Sequence, residues 1–69
     1  MTQKELLYVE DAVGHETNII GIVTDTINNL EDEDLIEFME QKLNDHIAYK
    51  NELMKFLEDN ANEWSIING

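Results

Sequence analysis

Cysteine, proline and arginine are absent from this 69-residue chain, and glycine occurs only three times. Without cysteine there is neither a disulfide framework nor a thiolate metal site. Without proline, and with glycine confined to Gly14, Gly21 and Gly69, long uninterrupted helices are favoured and few signals remain for strands or tight turns. Cations are scarce as well: four lysines face sixteen acidic residues, for a formal net charge of -12. Such a surface repels phosphate backbones and anionic lipid, so neither nucleic acid nor a membrane is expected as a partner. No apolar run is long enough to span a bilayer and no leader with a charged start and apolar middle is recognisable, which makes a cytoplasmic protein the default expectation. The single serine, Ser65, lies far from either histidine, and no glycine loop could cradle a phosphate. The chain is therefore read as non-enzymatic.

What the sequence does contain is apolar periodicity. Hydrophobic residues make up 42% of the chain, and their regular spacing argues against the disorder that high charge alone would suggest. Thr2 and Glu5 form a Thr-x-x-Glu capping pattern that predicts the start of a first helix, spanning about residues 3–28. Its seam runs Leu6, Val9, Val13, Glu16, Ile20, Val23, Ile27 and Leu30 in steps of three and four, with Glu16 its one polar member. A second seam, Tyr8, Ala12, His15, Ile19, Ile22 and Thr26, lies beside it. Two apolar seams call for neighbours on two sides, more than one hairpin partner provides. Asn28 or Asn29 is expected to close this helix in the left-handed conformation. Gly14 and Gly21, seven apart, share a face: they either admit another backbone or merely weaken the helix.

The acidic run Glu31-Asp32-Glu33-Asp34 reads as a connector and helix start, where carboxylates meet unpaired amides and the positive end of the macrodipole, rather than as a calcium loop. A second helix is predicted over about residues 33–62, with Ile36, Met39, Leu43, His46, Ile47, Leu53, Met54 and Leu57 facing inward. Leu35, Phe38, Tyr49 and Phe56 make a flanking stripe broken by Lys42, Asp45 and Glu52, and residues 63–69 read as a tail in which Trp64, Ile66 and Ile67 fold back over the bundle end.

Two helices joined by so short a connector must be antiparallel neighbours. Equal rise along both then brings Glu16 level with His46 and Lys50. A buried carboxylate needs a partner, so these three residues are expected to form a buried polar cluster that sets the helix register. The alternative is a metal site for iron, zinc or manganese, with Glu16 and His46 as ligands contributed by two copies. Di-iron bundles use Glu-x-x-His, whereas Ala12 precedes His15 and Leu43 precedes His46 by three, so the bridging carboxylates are missing. His15 is read instead as a surface residue paired with Asp11, one turn earlier.

The segment Lys4-Glu5-Leu6-Leu7-Tyr8-Val9-Glu10-Asp11-Ala12-Val13-Gly14-His15-Glu16 resembles the opening of the spore coat protein F family, with its Glu-Leu-Leu, Glu-Asp-Ala and His-Glu series. The similarity continues more weakly through Asp34-Leu35 and around His46. It implies a ferritin-like helical fold, association with the bacterial spore coat and other coat proteins as partners. Length is one departure, since the chain forms only one hairpin, and Gly14 and Gly21 are another. The expected architecture is thus all-α: an antiparallel two-helix hairpin that dimerises into a ferritin-like four-helix bundle. The expected function is that of a non-enzymatic structural or interaction protein without cofactor, acting as a homodimer, with the metal-binding bundle as alternative. A third class, an acidic adaptor for a basic partner, rests on charge alone.

Overall fold

The computed structural model describes residues 1–60; the expected tail, 63–69, lies outside the described residues. Two helices, α1 (Gln3–Ile27) and α2 (Glu33–Asp59), pack antiparallel across the connector 28–32 into a rod of 47 × 15 × 15 Å. This is the all-α hairpin that the periodicity predicts, and no strand occurs among the described residues.

Local chemistry sets each helix end. The Thr2 hydroxyl accepts from the Glu5 amide at 3.0 Å while the Thr2 amide donates to Glu5 Oε1 at 2.7 Å, closing a reciprocal capping box. The Thr2 backbone amide, donating to the carboxylate, and then the Thr2 side chain hold the Glu5 carboxyl below its ordinary range. A carboxyl with a lowered value in the folded state stabilises the first turn above the unfolded carboxyl range, and that contribution disappears as the pH falls through the lowered value. Glu5→Gln should therefore remove part of the acid dependence of helicity, measured by circular dichroism as the difference from the parent chain between pH 2 and 6. At the start of α2, Asp32 is the cap, accepting from the Leu35 amide at 2.9 Å, while Glu33 and Asp34 occupy the first turn.

The helix ends differ from expectation in two respects. Asn28 is right-handed, at φ -64° and ψ -15°, and no residue, glycine included, has positive φ among those described. The end of α1 is closed by a different device: the Asn29 side-chain amide donates back to the Asp25 carbonyl at 2.8 Å, and the Leu30 amide donates to the Ile27 carbonyl. This satisfies terminal carbonyls without a left-handed residue. α2 stops at Asp59, earlier than the predicted 62, because Asn60 leaves helical geometry and caps the Phe56 carbonyl with its own side chain at 2.9 Å.

Burial confirms the α1 seam position by position. Leu6 and Glu16 are buried, and Val9, Val13, Ile20, Val23, Ile27 and Leu30 are half-buried. The α2 seam needs correction. Ile47 and Met54 are exposed, whereas Lys50 is half-buried between them, so the seam is Ile36, Met39, Leu43, His46, Lys50, Leu53, Leu57 and Asn60. Both helices therefore keep a strict three-four rhythm, the spacing of an antiparallel coiled coil. Lysine is tolerated there because its aliphatic stem can cover the seam while the ammonium reaches water.

The α1 helix carries several residues poorly suited to helices. Thr17, Thr24 and Thr26 each donate a hydroxyl hydrogen bond to the carbonyl four residues back. A Cβ built at Gly14 or Gly21 would meet nothing within 4 Å, so neither glycine serves a close approach inside the hairpin. Gly14→Ala and Gly21→Ala should each stabilise by about 1 kcal/mol. The combined variant should melt roughly 10 °C higher by circular dichroism, and no gain would mean that something outside the hairpin uses that bare surface.

Candidate functional site

The polar centre of the hairpin is a two-residue pair. Glu16 and His46 both occupy the second position of the three-four repeat, which leans toward the same flank in each helix when the chains run antiparallel. The result is a 2.6 Å hydrogen bond between His46 Nδ1 and Glu16 Oε2. A carboxylate oxygen only accepts, so Nδ1 is the donor and Nε2 lies on the side of the ring away from Glu16. The Glu16 side chain is only 11% exposed and that of His46 37%. One carboxylate is thus nearly dry and tied to a ring with an edge in solvent.

Lys50, expected as the third member, is half-buried one turn beyond His46 but forms no ion pair or hydrogen bond with either residue among those described. Register alone had put it level with Glu16, and the shorter imidazole takes the contact. Nor do Asp11 and His15 pair; both are exposed and no ion pair joins them among the described residues. No group of three histidine, cysteine, aspartate or glutamate side chains converges among the described residues. Within one chain, Glu16 stands behind His46 Nδ1 as a support and does not share a coordination centre with it.

The two flanks of the rod differ in character. Because α2 runs backwards, its helical wheel is read in mirror sense, and equivalent flanks of the two helices fall on one side. Glu10 and Met54, equivalent in the two repeats, indeed line one groove together with Val13, Leu57 and Glu58. Leu7, Gly14, Gly21 and Ile47 share that side with the carboxylates of Glu33, Glu37 and Glu40. The opposite flank joins the second α1 seam to the α2 stripe. It carries Tyr8 at 59% exposure, Ile22 at 64%, Leu35, Phe38 at 53%, Tyr49 and Phe56. Its charges include a Lys42–Asp45 pair at 3.8 Å, with the lysine over the Phe38 ring. Sequence reading found both stripes but not their union on one side, which needs the antiparallel crossing of the helices to become visible.

No helix among the described residues is long and apolar enough to cross a membrane. Comparison adds no relative: no protein-family model, curated protein or solved structure matches the chain.

Proposed function

We propose that this chain is a non-enzymatic structural or interaction protein that acts as a homodimeric helical bundle, similar to the spore coat protein F family. In this reading its location is the cytoplasm or the spore coat, with other coat proteins as further partners. The carrying observation is the imbalance of burial: only Leu6 and Leu57 are buried hydrophobics among the described residues, while six large apolar or aromatic side chains stand exposed along one flank. Fully burying such a side chain is worth about 1.5–3 kcal/mol, so twelve half-exposed ones across two copies contribute on the order of 10 kcal/mol. Association itself costs about 4–15 kcal/mol. These magnitudes are comparable, and assembly should respond to concentration. Light scattering over a dilution series should give twice the 8.0 kDa chain mass at high concentration, and a well-folded single chain at every concentration would overturn the reading.

One observation favours a second reading, a metal-binding bundle for iron, zinc or manganese. Glu16 holds His46 by Nδ1 and leaves Nε2 turned outward, the support that metal-bound imidazoles commonly receive. Elemental analysis of protein purified without chelator separates the two. The structural reading expects no stoichiometric metal, whereas metal lost on His46→Ala would support the second.

A further inference from the structure

We infer, building on the dimer proposed above, that the second copy docks on the flank carrying Tyr8, Ile22, Leu35, Phe38, Tyr49 and Phe56, turned end for end about a two-fold axis close to the Glu16–His46 pair. Area is the first support. A flank of the 47 by 15 Å rod offers about 700 Å² per copy, and two copies would bury about 1,400 Å², within the range of specific interfaces. The opposite flank suits a second copy less, because its carboxylates at Glu33, Glu37 and Glu40 have no lysine on that side, whereas Lys42 pairs with Asp45 on the chosen one. A basic partner, not another chain of net charge -12, would suit that side.

Charge also selects the orientation. The acidic run Glu31-Asp32-Glu33-Asp34 lies at the connector end, whereas Lys4, Lys50 and Lys55 all lie in the half of the rod remote from it. Two copies side by side in the same direction would bring two acidic runs together. Reversal places each run beside the less acidic half of the other copy, where Lys4, Lys50 and Lys55 partly offset the carboxylates and repulsion is smaller. The apolar residues agree. Leu35 and Phe56 lie about 15 Å to either side of the middle of α2 at about 1.5 Å per residue, so a reversed copy sets one against the other. Phe38 then approaches the partner copy's aromatic end, and Ile22 approaches the level of Tyr49. Residue 46 is the midpoint of α2, which places the Glu16–His46 hydrogen bond at the axis and closes the remaining exposed edge of the imidazole.

The absence of cysteine makes the arrangement directly measurable, since a single introduced thiol gives one label per chain. A nitroxide on Glu31→Cys at the connector should report a distance between copies of about 45 Å by pulsed electron resonance. A distance under about 25 Å in a protein of dimeric mass would overturn the reversed orientation while leaving the dimer itself standing. A monomeric mass would instead remove the dimer on which the inference rests. For the choice of flank, Phe38→Glu should lower the mass to that of one chain with helical circular dichroism retained, and Ile47→Glu on the opposite side should not. Tyr49→Lys supplies the same readout should Phe38→Glu lose its helicity. A dimer that survives the substitutions at residues 38 and 49, or one that is lost with Ile47→Glu alone, overturns the flank.

Discussion

Leu57→Ala should remove a large share of the hairpin's stability, and Leu6→Ala should do nearly the same. Leu57 is 6% exposed and Leu6 1%, and they are the only buried hydrophobic side chains among the described residues. Truncating a buried leucine costs about 2–5 kcal/mol through lost transfer energy and the cavity left behind. A chain of this size has a total stability on the order of 3–10 kcal/mol, so either loss consumes a large share of it. The control is Phe38→Ala, at a side chain 53% exposed, which should leave the helicity of a dilute sample almost unchanged. Urea melts of the three variants check the ordering. Equal losses at residues 38 and 57 would mean that the hairpin is not stabilised where its packing indicates.

The second large effect concerns Glu16 and His46, whose two single substitutions should not be equivalent. His46→Ala strands a carboxylate in a site only 11% exposed, where an unsatisfied polar group costs about 1–3 kcal/mol and a charged one more. Glu16→Ala strands an imidazole with an edge already in water, so its loss should be smaller. Replacing both together, Glu16→Leu with His46→Leu, should recover the loss or exceed the parent's stability, because exchanging a buried polar pair for apolar side chains is often neutral or stabilising. A double-mutant cycle on urea midpoints, closed with Glu16→Ala and His46→Ala combined, isolates the coupling. Coupling near zero would show that the 2.6 Å contact contributes nothing to stability and serves only to choose register, or does not persist in solution.

How much of this was readable beforehand depends on the helix. In α1 the apolar residues and the three-four rhythm coincide at every seam position but one, so the seam and its exception at Glu16 could be read directly. In α2 they part company. Ile47 and Met54 attract an inward assignment by hydropathy, but the rhythm passes through Lys50, and the rhythm prevails because two straight rods can touch along only one stripe. The pairing of Glu16 with His46 followed from connector length and equal rise along the two helices. The exclusion of Lys50 did not, because it depends on side-chain reach at a distance of one turn. The closure of α1 is hidden from the sequence for a similar reason: asparagine can serve a helix end through its backbone or through its side-chain amide, and Asn29 uses the latter.

The threonine hydroxyls and bare glycines of α1 bear on the order in which the molecule assembles. From Gly14 to Ile27 this helix consists largely of β-branched residues, glycine and asparagine, whereas α2 is rich in leucine, methionine, glutamate and lysine, which lose little freedom on becoming helical. α2 has the greater tendency to wind before it meets its neighbour, so it should form the template on which α1 condenses. Native-state amide exchange should accordingly be faster in the second half of α1 than at mid-α2, opening that segment while its template stays wound.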